Sequence, residues 1–192
     1  MTRIENLRTE VKNLYKLRHP NRARWADWIY EGHVLPVGNA SRAVAQRFGG
    51  DPELAEAAGL LHDVADSIMK REESEHEAKS MEIAKELLKK VGYSNAEISI
   101  VVDDALLYHS CRGDDRPKTL EGKAMAAGDA VAHLTTNFYL VAEEGRREFQ
   151  TPEEIFAWVN PKLDRDFTNK IAYDELREEI RLDYEKLKSH FQ

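Results

Sequence analysis

His62 and Asp63 stand side by side in the apolar run Leu60-Leu61-His62-Asp63-Val64-Ala65-Asp66. A polar residue tolerated in such a run is ordinarily Ser or Thr, whereas a neighbouring imidazole and carboxylate are costly to bury unless something binds them. The pair reads either as two metal ligands, or as a hydrogen-bonded core histidine beside a capping or salt-bridging aspartate. His33, His76, His109 and Asp129 repeat the contrast, each a His or Asp on an otherwise apolar or small-residue background. Ligands collected from several helices are the way a bundle builds a metal site in its core. Asp63 has two oxygens that can reach separate cations and suits a bridge, while neutral imidazoles suit terminal positions. Consecutive helical residues point about 100° apart, so His62 and Asp63 share a site if their helix approaches it side-on.

The elements that must carry these groups are helical. Ile4, Leu7, Val11, Leu14 and Leu17 repeat at three and four residues until His19-Pro20 ends the run. Gly32 and Pro36 put His33 at a helix junction, and Val37, Ala40, Val44 and Phe48 continue to a glycine stop at Gly49-Gly50. Asp51-Pro52 restarts the chain as cap and first helical residue. Ser74 with Glu77 has the form of a capping box, placing His76 in a first turn, and Ser94 with Glu97 opens the helix that ends near His109. Thr119 caps a small-residue helix from Leu120 to Thr135, with Asp129 inside it. A further segment spans Asn137 to Glu144, Thr151-Pro152-Glu153-Glu154 starts another, and a final helix runs from about Thr168 to Phe191. No stretch alternates as a strand does. The expectation is an all-α fold, with residues 1–136 as the helical core and 137–192 as a C-terminal helical extension packed on it. The charges of that extension read as a solvated face.

Composition agrees with a soluble, helix-rich protein: 33% of the 192 residues are charged and 42% hydrophobic. A net charge of -7 argues against binding extended nucleic acid through a basic surface. The single cysteine, Cys111, excludes an intrachain disulfide and reads as a small unreactive residue. No apolar run reaches membrane-spanning length and the first residues lack a signal-peptide pattern, so a cytoplasmic location is expected.

The order His33, His62-Asp63, His76, His109, Asp129 resembles the HD-domain superfamily of metal-dependent phosphohydrolases. The context is similar too: Gly32-His33 leading into Val37 and Ala40, Ala57 to Asp63 (AAGLLHD), His76-Glu77-Ala78, Leu107-Tyr108-His109 and Ala127-Gly128-Asp129. The likeness covers roughly residues 22 to 135. It implies an all-α HD-domain helical bundle with His33, His62, Asp63 and Asp129 as the basic ligand set, and His76 and His109 as ligands of a second ion, as in the dinuclear branch. Some features depart from the family. Where relatives often carry a basic residue just after the doublet, this chain has Val64-Ala65-Asp66, and Lys70, one turn on, is the nearest substitute. No Gly-Tyr-Pro signature follows His109, so cyclic dinucleotide specificity is not implied. Ala132 stands where an acidic residue is usual, and the adjacent His133 is a candidate pocket residue.

The expected function is hydrolysis of a small phosphoester, such as a nucleotide, by metal-activated water. His62 and the bridging Asp63 are central to it, and Arg112, Arg116 and Lys118 come from a loop placed to offer cations to phosphate. No Gly-rich phosphate loop is present. Mixed His and carboxylate ligation suits Fe, Mn, Co, Ni or Zn better than Mg, with two ions expected. Two alternatives keep the same ligands: a diiron oxygenase, and a regulatory module that binds metal or nucleotide without turnover. A homo-oligomer is compatible with the sequence.

Overall fold

The computed structural model describes residues 1–71, 73–146 and 151–192, and no strand occurs among them. The fold is all-α. Helix α1 (Arg3–Lys16) starts on a capping box between Thr2 and Glu5 and buries Ile4, Leu7, Val11 and Tyr15. Helix α2 (Ala26–Ile29) runs through a wide π-helical turn (Tyr30–Val34) directly into α3 (Leu35–Phe48). Gly49, at φ 101°, stops α3 in a conformation that side chains with a Cβ avoid. Asp51 then accepts from the backbone N–H groups of Glu53 and Leu54 to open α4 (Pro52–Leu61).

Helices α3, α4 and α7 (Leu120–Thr135) form the centre of the molecule, and small residues bring them together. A Cβ on Gly59 would lie 2.9 Å from the Cα of Gly38, and one on Gly128 would lie 2.5 Å from the backbone nitrogen of Ser41. The approach fixes α7, and with it Asp129, against α3 just beyond His33. Leu54, Leu60, Leu61, Val101, Val102 and Met125 complete this core without solvent exposure beyond a few per cent.

A short 3₁₀ turn (Val64–Ser67) leads to α5 (His76–Lys90). Helix α5 begins at His76, as the spacing predicts for its first turn, but no side chain caps it, so the Ser74 capping box does not form. The Ser94–Glu97 box does form, opening α6 (Asn95–Ile98), which widens into a π-helical stretch (Ser99–Leu106). Helix α8 (Phe138–Val141) follows α7 and continues through a wide turn (Ala142–Arg146); α9 (Pro152–Arg165), with its Thr151–Glu154 box, passes into another (Asp166–Lys170).

The last stretch corrects the sequence reading. Ile171 is extended (φ −90°, ψ 99°), so the expected continuous terminal helix is broken into the turn at Asp166–Lys170, α10 (Asp174–Glu179) and α11 (Arg181–His190). The charges before the break are not a solvated face either, because Asp166 and Lys170 are buried against α7. No helix among the described residues is long and apolar enough to cross a membrane.

Candidate metal centre

His62 and Asp63 share a site because the helix ends between them. His62 keeps helical dihedrals as the C-cap of α4, while Asp63 turns away at φ −118°, ψ 23°. The Tyr15 hydroxyl, reaching over from α1, donates to the Asp63 carbonyl at 2.9 Å and fixes that turn. His62 Nδ1 donates to the Gly59 carbonyl at 2.8 Å, which leaves its Nε2 lone pair for the site. The wide turn between α2 and α3 brings in His33, and α7 brings in Asp129.

Four donor atoms converge there. His33 Nε2 lies 3.1 Å from His62 Nε2, 3.5 Å from Asp129 Oδ1 and 3.8 Å from Asp63 Oδ2. His62 Nε2 lies 3.1 Å from Asp63 Oδ2 and 3.7 Å from Asp129 Oδ1. Among the described residues, His33, His62 and Asp129 satisfy the spacing for a shared ion. All four residues are buried, and both His33 Nδ1 and Asp129 Oδ1 lack a hydrogen-bond partner. Two imidazole nitrogens and a buried carboxylate oxygen, Asp129 Oδ1, left without a hydrogen bond, with Asp63 Oδ2 beside them, are a donor set that fits a divalent transition cation. The electrostatics agree. Burial pulls the His62 imidazole down, but Asp63 and Asp129 beside it more than compensate and raise it, whereas burial, with His133 and His62 close by, holds His33 well below the usual imidazole value and so neutral.

Two further networks hold the carboxylates. Arg71 grips Asp63 with Nη1 on Oδ1 at 2.5 Å and Nη2 on Oδ2 at 2.6 Å, and also pairs with Asp66. Asp66, fully buried, additionally accepts from His76 Nε2 at 2.8 Å and Trp25 Nε1 at 3.1 Å. On the other side Lys170 pairs with Asp129 Oδ2 and lies 3.4 Å from Asp166. Asp166 accepts from Tyr139 Oη at 2.5 Å and Lys162 Nζ at 3.1 Å, and its Oδ2 lies 3.0 Å from His133 Nδ1. His133 in turn places Nε2 3.4 Å from Asp129 Oδ1 and stacks on His33 with 4.6 Å between ring centroids. Lys162 is pulled down to about 8 by burial, opposed by Asp166 but assisted by Lys170 and Arg165.

A cavity of about 330 Å³ opens over this cluster. Its wall includes the ligand-type residues His62, Asp63, His109 and Asp129, the cations Arg71, Arg112, Lys162, Arg165 and Lys170, and the aromatics Trp25, Phe138 and Trp158. His76 and His133 also line it. His109 packs edge-on to His62 at 5.6 Å, with Nδ1 bonded to the Leu106 carbonyl at 2.6 Å; burial together with Lys170 and His62 depresses it to about 4.

The structure thus gathers His33, His62, Asp63 and Asp129 at one point, with His109 adjacent, His76 turned onto Asp66 and His133 onto Asp129 and Asp166. Arg112 is exposed at the rim, 3.5 Å from Glu77. Arg116 folds onto the carbonyls of Cys111, Gly113 and Asp115. Lys118 and Lys70 are exposed, and with Arg116 they stand outside the cavity wall. Arg71, Lys162, Asp166 and Lys170 escape sequence reasoning. The one trace of the last three is their i, i+4, i+8 spacing, which stacks them on one helical face.

A helical core enclosing a His, His-Asp and Asp cluster beneath a basic cavity defines a metal-centred class of all-α proteins. The chain belongs to the HD domain family, whose model matches residues 30–134. Its relatives include ribonuclease Y of Alkaliphilus metalliredigens, 33% identical over 100 residues, which are 52% of this chain and 19% of that protein. Ribonuclease Y of Staphylococcus epidermidis is 35% identical over 100 residues, 52% of this chain and 17% of the relative. Ribonuclease Y of a Nitratiruptor species is 28% identical over 101 residues, 53% and 17% of the two chains. The match therefore spans less than a fifth of these curated relatives. No solved structure matches the chain significantly. Family and cluster together suggest a divalent-metal-dependent phosphohydrolase.

Proposed function

We propose that the protein hydrolyses a small phosphoester, a nucleotide by the chemistry of its cavity, at a divalent cation held by His33, His62, Asp63 and Asp129. The observation that carries this reading is the grouping of His33, His62 and Asp129, with Asp63 Oδ2 3.1 Å from His62 Nε2, beneath a wall that combines cations with aromatic rings. Cations suit the phosphate, and Trp25, Phe138 and Trp158 suit a base. The relatives named ribonuclease Y bring RNA into view, but a net charge of -7 and a cavity of about 330 Å³ favour a small substrate.

A bound cation supplies the charge that polarises a phosphoryl oxygen and makes water acidic enough to attack at neutral pH. The protein's own groups prepare that chemistry. Gly59 holds His62 in the ligating tautomer, Lys170 holds Asp129 ionised, and Arg71 orients Asp63. Fe, Mn, Co, Ni and Zn suit the mixed donors better than Mg. Because Arg71 occupies both oxygens of Asp63, the geometry favours one ion; the second, with His76 and His109 as ligands and Asp63 as bridge, requires Arg71 to withdraw. His133, Arg112 and, if their loops move, Arg116, Lys118 and Lys70 are the remaining candidate contacts to substrate.

The test is a phosphoester screen with the metal that elemental analysis finds after anaerobic purification. Asp63→Ala should lose both metal and turnover; full activity in that variant would refute the metal mechanism.

A further inference from the structure

Every cation deep in the cavity has an acidic partner except one. Arg71 is shared by Asp63 and Asp66, Lys170 by Asp129 and Asp166, and Lys162 lies on Asp166. Arg165, on the same cavity wall, has no ion pair or hydrogen bond among the described residues, and its Nε is buried without an acceptor. Its sequence neighbour Asp166 cannot serve it, being already engaged by Tyr139, Lys162, His133 and Lys170. Lys162 precedes Arg165 by one turn of α9, so the two belong to the same face of the helix.

A half-buried guanidinium whose Nε is shut away from water and gains no acceptor is a poor structural device. It is a good recognition device, because the planar fork matches two oxygens of a phosphoryl group. The cavity reaches continuously from this residue to the metal cluster, since His62, Asp63 and Asp129 line the same space.

We propose that Arg165, assisted by Lys162, is the phosphate-recognition subsite of this cavity, and so a specificity-determining residue supplied by the C-terminal helices. The proposal rests on the phosphohydrolase reading for its biological meaning, but phosphate binding is measurable without turnover. An anion at Arg165 satisfies the orphaned Nε and offsets the excess positive charge of Lys162, Arg165 and Lys170.

The probe is inorganic phosphate, titrated calorimetrically into the full-length, metal-free protein in the presence of a chelator. Wild type should bind it, Arg165→Gln should weaken binding tenfold or more, and Arg165→Lys, which keeps the charge but loses the fork, should fall between. Lys186→Gln, an exposed charge change on α11, should leave binding unchanged. Arg165→Lys preserves charge and aliphatic stem, so it gives a folded comparison even where the glutamine variant does not. Phosphate affinity unchanged in the Arg165 variants, or no phosphate binding by wild type, would overturn the proposal. Failure to hydrolyse any phosphoester with any metal would instead remove the phosphohydrolase reading and leave the titration result standing.

Discussion

Arg71 holds both carboxylate oxygens of Asp63, at 2.5 and 2.6 Å, from eight residues further along the chain. The guanidinium thereby holds the carboxylate whose Oδ2 lies 3.1 Å from His62 Nε2.

Removal of Arg71 should leave Asp63 and Asp66 as uncompensated buried carboxylates. Arg71→Ala is expected to cost the metal-free protein about 3 kcal/mol, the lower end for breaking a buried ion pair. For a chain of this size that lowers Tm by roughly 6–12 °C. Added divalent metal should then recover more Tm in the variant than in wild type, because the ion replaces the missing positive charge and binds only the folded state. Calorimetry with and without Mn²⁺ checks this; an equal metal-induced shift in both proteins would contradict the role given to Arg71.

Gly128 admits α7 to α3, and a Cβ there would meet the Ser41 backbone, which cannot step aside as a flexible side chain can. Gly128→Ala should destabilise the protein by about 1–3 kcal/mol, as overpacking does. It should also reduce metal content, since Asp129 is the next residue. A variant with wild-type melting and metal content would show that the close approach matters little.

Acid sensitivity should trace in part to Asp166. Burial alone would raise its carboxyl, but Lys162, Lys170 and His133 around it hold it well below the usual carboxylate range. A carboxyl that titrates lower in the folded chain stabilises fully above its unfolded value of about 4 and loses that stabilisation as pH falls toward the folded value. The metal-free wild type should therefore lose more stability between pH 5 and pH 3 than Asp166→Asn does. Urea unfolding at each pH measures it, and parallel losses would remove Asp166 from the explanation.

Tyr139 offers a milder probe of the same network. Its hydroxyl is fully buried and donates to Asp166 at 2.5 Å. Tyr139→Phe should cost about 1.5–3 kcal/mol, the range for a hydrogen bond to a charged group. A denaturation midpoint equal to wild type would show that the lysines alone satisfy Asp166.

The clustering of His33, His62, Asp63 and Asp129 was legible because each breaks an apolar or small-residue background, and such a break needs a partner to be affordable. Caps at Asp51, Ser94, Thr119 and Thr151 were legible because the signal lies within four residues of the helix it starts. Ser74 carries the same local signal, yet His76 opens its helix without a side-chain cap. Lys162, Asp166 and Lys170 sit among charges that alternate as an exposed helix would, and only the packing of the turn Asp166–Lys170 on α7 makes them interior. Arg71 was hidden for the same reason, since it sits in a charged stretch of the sequence and only the fold brings its guanidinium onto Asp63.

Metal content decides the central question most directly. Protein purified anaerobically, and separately reconstituted with Fe, Mn, Co, Ni or Zn, should carry about one ion per chain. His62→Ala and Asp129→Ala should carry almost none while keeping wild-type helicity by circular dichroism. Full metal content in those variants, or wild type that takes up none of the five ions, would contradict a cation held by His33, His62, Asp63 and Asp129.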